Sequence, residues 1–462
     1  IEALLIDKES DLAMHASSHN DGEVHPGVDL AKGTLKQKYI VKSNRMYDKV
    51  CEDLSVPFKR CGQHVCFTQW WTRPIMRLYA YQRKHSCGVD DTRIVGRKEL
   101  FREFPNISRN AKFSLYNSMA GCVSPYELTI AYGENAVENG ARVMLDTAAI
   151  SMEVVDGRIV SVKTNRGTLF PRVVINAAGV FSEEVARMAE DRFFSIHPRR
   201  GTDAILDKKV SGLTTCVVTV KEAGEGKEKH TKGGGVIPTA HGNLLVGPDA
   251  VETPERETFP TNAGSLDSIF EKQQKALPTL SKSDVINYFS GIRAATFEED
   301  FIIERGRKTK NLVHCAGIQS PGLTTAPAVA VDVAELAVNI LKEETQVGRN
   351  GGFNPVRKAK PVMNNFSPGE REEWIKKNPD YGKIICRCEE ISKGEIIDAI
   401  SSPVPVHTID GVKRRVRPGS GRCQGGFCMP LVAKIISEYD NCEISQVRKA
   451  GENSVISYGR LK

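Results

Sequence analysis

Four cysteines near the C-terminus have a spacing that could bind a metal centre. Cys386 and Cys388 form a C-x-C pair, and Cys423 and Cys428 form a C-x4-C pair further along the chain. Structural zinc sites usually use C-x2-C pairs, whereas four thiolates also suit an iron–sulfur cluster. The glycines of GSGRCQGGFC place backbone N–H groups near the sulfurs, which stabilises a thiolate-bound cluster. The spacing alone leaves zinc and an iron–sulfur cluster as alternatives.

A basic run, KRRVR at 413–417, lies just before the second cysteine pair. Such a run is typical of a solvated face. Beside a thiolate-bound cluster it could instead offset negative charge or dock an acidic partner. We expect the solvated face and keep the other two roles as alternatives.

Three strand ends in chain order predict a dinucleotide-binding domain. The apolar run of IEALLIDKES ends at Asp7, and an acid at the end of a second strand can accept hydrogen bonds from a ribose. Residues 172–189 and 311–341 each run from a strand through a glycine-containing turn into a helix, whose N-terminus can bind an anion. We expect the later helix to begin near Thr324 or Thr325, with Pro327 in its first turn.

The stretches between these strand ends differ in character. Residues 191–310 contain short alternating runs separated by Gly, Pro and Asn, which predicts an antiparallel sheet and the substrate domain. Residues 344–380 are rich in Gly, Asn, Pro and Lys, as in a linker. SKGEIIDAI indicates a helix with Ser392 as N-cap and Glu395 completing a capping box.

Composition limits the class of protein. The 462 residues are 40% hydrophobic and 26% charged, which fits a globular protein of two or three domains. The net charge of +7 gives no indication of a nucleic-acid partner, and we expect none. The most apolar run, APAVAVDVAELAVNIL, is interrupted by Asp332 and Glu335, so we expect a buried helix and no transmembrane segment. The other eight cysteines are scattered, as in reduced cytoplasmic proteins.

Two family resemblances add to this reasoning. CRCEEIS and DGVKRRVRPGSGRCQGGFC resemble the bacterioferritin-associated ferredoxin-like [2Fe-2S] domain. The body of the chain resembles the FAD-dependent oxidoreductases of the D-amino-acid-oxidase type, in the branch of anaerobic glycerol-3-phosphate dehydrogenase and L-2-hydroxyglutarate oxidase. The matching pieces span nearly all of residues 1–345 and are SSHNDGEVHPGVDLAKGTLK, NAAGVFS, PRRGTDAILDK, PTAHGNLLVGP, FSGIRA and AGIQSPGLTTAP.

The resemblance implies an α/β fold of several parts. An FAD-binding Rossmann-like domain would occupy 1–345, with an inserted antiparallel-sheet substrate domain formed by segments of about 60–110 and 191–298. A linker at 346–380, a small helical [2Fe-2S] domain at 381–440 and a C-terminal tail at 441–462 would follow.

The resemblance also implies roles for particular residues. Arg293 would bind the carboxylate or phosphate of a small anionic substrate, with Arg200 as a second candidate. The base that removes the hydroxyl proton would be His25 or His241, with His64 as a third option. All four clustered cysteines would hold the cluster: Cys386, Cys388, Cys423 and Cys428. The FAD-binding residues would be Asp7, Ser17, Ser18, Asn20, Gly22, Gly179, Gly317, Gly322 and Leu323.

The implied function is a dehydrogenase that oxidises glycerol 3-phosphate, passes a hydride to the flavin and sends single electrons through the cluster. The acceptor would be a protein subunit or a quinone, and the location cytoplasmic, with membrane association through a partner. An L-2-hydroxy acid such as L-2-hydroxyglutarate, or an amino acid, stays open as substrate, since one arginine serves carboxylate and phosphate alike. A non-catalytic electron-transfer subunit is the alternative from another class.

The family pattern also includes a strand and a G-x-G-x-x-G turn before the position of Ile1. That turn places a helix N-terminus on the FAD pyrophosphate. We therefore expect residues 1–462 to bind FAD weakly or not at all, and a version extended by about 20–30 residues to restore binding.

Overall fold

The structure is a computed structural model that describes residues 2–222 and 233–458. Its strands are β1 Leu4–Ile6, β2 Glu23–Val24, β3 Phe58–Arg60, β4 Gln63–Phe67, β5 Thr92–Gly96, β6 Phe113–Asn117, β7 Gly121–Val123, β8 Arg142–Met144, β9 Ala149–Val155, β10 Arg158–Thr164, β11 Gly167–Leu169, β12 Val174–Asn176, β13 Ile196–Leu206, β14 Val217–Lys221, β15 Gly235–Pro238, β16 Leu244–Gly247, β17 Val251–Glu252, β18 Val285–Thr296, β19 Ile302–Arg305, β20 Leu312–Ala316, β21 Ile384–Cys386 and β22 Ile391–Ser392. Its α-helices are α1 Leu35–Asn44, α2 Tyr47–Leu54, α3 Arg73–Cys87, α4 Arg97–Glu103, α5 Pro125–Glu138, α6 Ser182–Met188, α7 Ala263–Gln274, α8 Gly322–Lys342, α9 Pro368–Lys377, α10 Lys393–Ile400, α11 Ile409–Val416 and α12 Met429–Asp440.

The parallel strands predicted for the dinucleotide-binding part form two groups. β1 pairs in parallel with β8, and β12 pairs in parallel with β20, which β19 extends on its other edge. Over the described residues the two groups remain separate sheets, and Leu5 and Ile175 are exposed. The expectation of a further strand and glycine turn stays a prediction.

Helix α8 packs against β19, β20 and α1. It begins at Gly322, two residues earlier than the sequence predicts, so Pro327 lies in its second turn. Pro327 has no N–H to donate to the Leu323 carbonyl, and the hydroxyl of Tyr47 donates to that carbonyl instead. The tertiary contact therefore allows the helix to start before the proline.

Helix α8 is also the candidate for a membrane span. Among the described residues, α8 is the one helix with the length and composition to cross a membrane, a test that core helices also pass. Ala328, Val333 and Ile340 are buried in a core cluster, and Asp332 accepts a hydrogen bond from Tyr39 of α1. These contacts confirm the buried helix that the sequence predicts.

The central sheet has nine strands and confirms the predicted antiparallel sheet. Its longest pair is β13 with β18, in register from Ile196↔Thr296 to Leu206↔Val285. β16, β15 and β14 follow on one side, and β4, β6 and β5 complete the order. β14 and β4 are the parallel exception. Because successive side chains of a strand point to opposite faces, the register of β13 decides which of its charged residues meet β18.

The C-terminal domain packs α10, α11 and α12 around a compact apolar core that includes Cys386 and Cys428. The capping box of Ser392 and Glu395 is present, as predicted. Helix α9 lies within the stretch predicted to be a linker and has its own capping box, formed by Ser367 and Glu370. The sequence carries that signal, S-P-G-E, but the glycine and proline content of the flanking residues obscured it.

The basic run 413–417 points inward, so its expected role as a solvated face is wrong for three of its members. Arg414 and Arg415 both bind Asp11 of the flavin-binding part, and Arg417 reaches Tyr126 and Glu389. Burial of two guanidinium groups requires a counter-charge, which Asp11 supplies. The C-terminal domain is therefore docked on the body of the chain, beyond its connection through residues 346–380.

Candidate active site

The four clustered cysteines converge at one end of the C-terminal domain. The Sγ atoms of Cys388 and Cys423 lie 3.6 Å apart, and the thiols of Cys386 and Cys428 share a hydrogen bond. Cys386 and Cys428 are buried, whereas Cys388 and Cys423 are exposed. The site thus has two thiols on a protein side and two on a solvent side.

Backbone N–H groups surround the sulfurs. The Cys428 thiol, followed by the backbone N–H groups of Gly419, Glu389 and Cys388, lowers the pKa of Cys386 to about 6. The backbone N–H of Phe427 is the largest of the causes that lower the pKa of Cys423. Such donors stabilise thiolates, which is the form that binds iron.

A glycine is required between the cysteine pairs. A Cβ atom at Gly421 would lie 2.4 Å from Cβ of Cys388, so a side chain there would push the two cysteine loops apart. The four converging thiols, their N–H donors and this close approach fit a [2Fe-2S] cluster.

The strand end at Asp7 and the turn at Gly179 lie together. Asp7 follows β1 directly, and its Oδ1 accepts from the backbone N–H of Glu9 at 3.0 Å. Burial raises the pKa of Asp7. The ammonium of the next residue, Lys8, lies 4.8 Å from the ring centre of Phe181, which ends the 3₁₀ turn begun by Gly179. Gly179 is exposed at φ +57°, and a Cβ there would meet open space.

The loop SSHNDG of residues 17–22 closes on itself. Asn20 Nδ2 donates to the carbonyl of Ala16 at 3.0 Å, and Asn20 Oδ1 accepts from the N–H of Gly22 at 3.0 Å. Ser18 Oγ lies 2.8 Å from Nδ1 of His19, while Ser17 is exposed. Gly22 has φ +68°, and a Cβ there would lie 2.6 Å from the Val123 carbonyl oxygen. The loop is thereby held as one unit with a fixed entry into β2.

The N-terminus of α8 adjoins this loop. Thr324 accepts a hydrogen bond from the backbone N–H of His25 at 3.0 Å and donates to the carbonyl of Glu23 at 3.2 Å. Gly317 has φ +66° and approaches Thr296 so closely that a Cβ would lie 2.7 Å from it, and Gly322 approaches Ile318 in the same way. The acid after β1, the open turn at Gly179 and this helix start are features that fit a bound FAD.

Arg293 of β18 lies against the same loop. A Cβ at Gly291 would be 2.1 Å from the His19 carbonyl oxygen, so the loop rests on β18 two residues before Arg293. The Nη2 of Arg293 donates to the Asp249 carbonyl at 3.1 Å. Its Nη1 and the Oδ1 of Asp203 are buried atoms that have no hydrogen-bond partner within residues 2–222 and 233–458. Unpaired buried polar atoms of this kind are costly, which points to a polar ligand.

Arg200 does not share this place. Arg199 pairs with Arg293 across the two strands, so Arg199 and Arg293 share a face and Arg200 lies on the other. Arg199 is fully buried and binds Glu252 at 2.7 Å and Glu299 at 2.6 Å. Gly201 follows on the face of Arg293, where a Cβ would lie 2.4 Å from Nη2. Sequence reasoning missed both Arg199 and Gly201. The signal that could have indicated them is the strand alternation in PRRGTDA, which places these two residues on one face.

The three candidate histidines lie in different surroundings. Nδ1 of His25 is 2.9 Å from Oε1 of Glu23 and, with Asp21, forms a tight group of potential ligand atoms. The negative charge of Asp21 acts to raise the pKa of Arg293, which burial lowers, so His25 and Arg293 belong to one neighbourhood. His64 is fully buried, binds Ser114 at 2.8 Å, and burial lowers its pKa to about 4, as for a core histidine.

His241 lies at the far end of the central sheet. It occupies the turn before β16, whose Leu244 pairs with Leu206 of β13, whereas Arg293 pairs with Arg199. Seven residues of strand separate these positions, or about 23 Å at a rise of about 3.3 Å per residue. The structure therefore links His25 to Arg293 through Asp21 and leaves His241 apart.

His241 instead belongs to a polar chain that leads to the cluster. Its Nε2 lies 2.7 Å from Oε1 of Glu127. Burial acts to raise the pKa of the Glu127 carboxyl, but His241 acts to lower it, and the net pKa is lowered. The neighbouring Tyr126 binds Arg417, whose Nη2 lies 3.3 Å from Oε2 of Glu389. Glu389 follows Cys388 directly. Sequence reasoning did not find Tyr126 or Glu127, because nothing local marks them, and it noted Arg417 only as a member of the basic run 413–417.

Comparisons with known proteins match this architecture. Residues 1–336 match the model of the FAD dependent oxidoreductases (DAO), and residues 384–438 match the BFD-like [2Fe-2S] binding domain. A glycerol 3-phosphate dehydrogenase of Caloramator mitchellensis is 38% identical over 465 residues, which cover 100% of this chain and 94% of that protein.

More distant relatives extend the match. A mitochondrial L-2-hydroxyglutarate dehydrogenase of Nematostella vectensis is 23% identical over 394 residues, which cover 72% of this chain and 84% of that protein. The solved structure of dithionite-reduced L-α-glycerophosphate oxidase from Mycoplasma pneumoniae with FAD bound aligns at a TM-score of 0.70 and 21% identity, over 78% of this chain and 92% of that one. The chain therefore belongs to the family of FAD-dependent oxidoreductases, with a C-terminal BFD-like [2Fe-2S] binding domain, and its cofactors are FAD and a [2Fe-2S] cluster.

Proposed function

We propose that the protein is a dehydrogenase that oxidises glycerol 3-phosphate and passes the electrons through its [2Fe-2S] cluster to an acceptor. The observation that carries the proposal is the buried guanidinium of Arg293, with its unpaired Nη1, beside the loop 17–25. A planar guanidinium binds a phosphate or carboxylate in a bidentate manner. The 38% identity with a glycerol 3-phosphate dehydrogenase over the whole chain supports phosphate.

Bound FAD supplies the two-electron oxidant for the substrate alcohol and can release electrons singly. The residues proposed to hold it are Asp7 at the ribose, the loop of residues 17–22, and the turns at Gly179, Gly317 and Gly322 with Leu323. Their roles follow from a strand-end acid, the open turn at Gly179, close backbone approaches at Gly22, Gly317 and Gly322, and the N-terminus of α8.

We assign the removal of the hydroxyl proton to His25. Its Nδ1 lies 2.9 Å from Oε1 of Glu23, which holds the ring beside this carboxylate. A neutral histidine has one unprotonated ring nitrogen, and that nitrogen can accept a proton from the substrate. Arg293 would hold the anionic end of the substrate while His25 faces the alcohol.

The cluster offers its exposed side to the acceptor. Cys388 and Cys423 are exposed, and Arg387 lies over the exposed ring of Phe427 at 4.6 Å beside them. An apolar ring with a cationic neighbour is a typical protein contact. We infer that an electron-accepting protein subunit docks here, with a quinone as the alternative acceptor.

The rival substrate class is an L-2-hydroxy acid, since Arg293 can bind carboxylate as well as phosphate. The test is steady-state turnover of the FAD- and iron-loaded protein, with an artificial electron acceptor, on glycerol 3-phosphate, L-2-hydroxyglutarate and small amino acids. Highest kcat/KM with glycerol 3-phosphate is expected. Higher kcat/KM with one of the acids would refute the substrate, and no turnover with any of them would favour an electron-transfer subunit.

The variant Arg293→Ala should raise KM, since a desolvated charge pair contributes about 2–4 kcal/mol, or roughly 30- to 900-fold. Arg293→Lys should restore part of the loss, because a lysine cannot bind in a bidentate manner. The matched control is Arg200→Ala, one residue past the cross-strand partner of Arg293 and on the opposite face of the sheet. Equal KM changes for Arg293→Ala and Arg200→Ala would place the anion elsewhere.

A further inference from the structure

A contiguous apolar patch lies on the outer face of α3 and the turn before it. Trp70 is 74% exposed, Trp71 54%, Ile75 60%, Leu78 71% and Tyr81 64%. Most of the other exposed apolar side chains of the described residues, such as Phe170, stand singly, and the group of Phe427, Met429 and Leu431 is less exposed than these five. Single exposed apolar residues are normal on protein surfaces, but five on one helix and the turn before it indicate a binding surface.

The spacing of the helix explains the patch. Ile75 and Leu78 are three residues apart, as are Leu78 and Tyr81, so they share one side of α3. The opposite side is buried through Ala80, Arg83 and Cys87, and Nη1 of Arg83 donates to the Leu30 carbonyl. The helix is thus fixed to the substrate domain by one face and presents the other outward as a rigid ridge.

The charged residues of α3 and of the turn before it have one sign, and the exposed Asp90 and Asp91 come only after the helix has ended. Between Trp70 and Val89 the sequence contains four arginines and lysines and no aspartate or glutamate. Arg73, Arg77 and Lys84 are exposed beside the apolar ridge. A helix with tryptophan and leucine at its apex and basic residues at its flank has the pattern of an interfacial helix that lies in the headgroup region of a bilayer.

We propose that α3 and the turn of Trp70–Thr72, the α3 ridge, dock the protein on an anionic phospholipid surface. Positive flank charges complement phosphate headgroups. The two tryptophans suit the boundary between headgroups and acyl chains. A protein partner would equally cover the apolar side chains, but the single sign of charge on α3 and the turn before it matches an anionic surface. The proposal does not depend on which substrate is oxidised.

The test uses the full, cofactor-loaded chain and two kinds of vesicle. One is phosphatidylcholine alone, and the other contains roughly one part phosphatidylglycerol to three parts phosphatidylcholine, an anionic surface. The protein should sediment with the anionic vesicles only, and added salt should weaken the binding. The double variant Ile75→Glu with Leu78→Glu should reduce binding at least about tenfold, since it removes apolar area and adds repulsion. The matched control is Phe170→Glu, at a residue that is 78% exposed elsewhere.

Intrinsic fluorescence supplies a second readout that needs no change in the ridge. The chain has three tryptophans, two of them in the ridge, and the third is Trp374. In the variant Trp374→Phe, anionic vesicles should shift the emission to the blue as Trp70 and Trp71 leave water. Salt should reverse the shift.

Three results would overturn the proposal. The first is no sedimentation and no fluorescence shift with anionic vesicles. The second is equal, salt-independent binding to both kinds of vesicle. The third is a dimer of the wild type, found by analytical ultracentrifugation, that the double variant dissociates, because the ridge would then join two copies of this chain.

Discussion

The contact between Asp11 and the two arginines of α11 should control communication between the flavin and the cluster. Oδ2 of Asp11 accepts from Arg414 at 2.7 and 3.1 Å and from Arg415 at 2.9 Å, and Oδ1 accepts from Arg415 at 2.9 Å. Asp11 is 1% exposed. The three side chains form a buried ion group across the boundary between the two parts of the chain.

The variant Asp11→Ala leaves two buried guanidinium groups without their counter-charge. Removal of one partner from a buried pair costs about 3–5 kcal/mol. If the loss falls on docking of the C-terminal domain, the docking equilibrium changes by roughly 140- to 3,700-fold, since about 1.4 kcal/mol is a factor of ten. Arg415 keeps its hydrogen bonds to the Val404 and Gly411 carbonyls, so we expect the change in the docking equilibrium to lie toward the lower end of this range.

The assay is rapid mixing of the oxidised, cofactor-loaded protein with substrate, while flavin and cluster reduction are followed separately. We expect unchanged flavin reduction and slower cluster reduction in Asp11→Ala, together with faster proteolysis within residues 346–362. The matched control is Asp410→Ala on the same helix, which removes a surface ion pair with Lys449 at 2.6 Å and should have little effect. Cluster reduction at the wild-type rate in Asp11→Ala would refute the reasoning.

Two further predictions concern a cluster ligand and a core histidine. Cys423→Ser should abolish the iron signal of the reduced protein and leave flavin binding intact. Cys442→Ser, at a free cysteine of the C-terminal tail that packs against the same core, should keep the cluster. Metal analysis and electron paramagnetic resonance decide, and stoichiometric zinc in the wild type would contradict the assignment. Burial lowers the pKa of His64 to about 4 in the folded protein, against about 6.5 in the unfolded chain. The contribution of His64 to the free energy of unfolding is therefore complete above the unfolded pKa and is lost as the pH falls from there through the folded pKa. Urea unfolding should show about 2 kcal/mol lost from this group between about pH 7 and 5, and His64→Gln should flatten that slope. An identical slope in the variant would assign the pH dependence to other groups.

Much of this protein could be predicted from short stretches of sequence. The two cysteine pairs and their glycine-rich loop indicate a metal centre by spacing alone, because the ligands of each pair are local in the chain. The capping box of Ser392 and the strand end at Asp7 are local in the same sense. Alternation over 191–310 predicted the antiparallel sheet, since side-chain direction in a strand follows sequence parity.

Contacts between distant segments decided the rest. The strand register sets Arg293 beside Arg199 and places Arg200 on the other face, a choice that neither strand encodes alone. The Tyr47 hydroxyl, which satisfies the Leu323 carbonyl, lets α8 begin ahead of a proline.

The direction of the basic run 413–417 was also a tertiary outcome. A run of arginines is normally solvated, because burial of a guanidinium is costly without a partner. Asp11, some 400 residues earlier in the sequence, supplies that partner. Sequence pattern thus determined the cofactor chemistry and the local elements, while pairing across long separations decided which charged side chains face the site and which hold the two parts of the chain together.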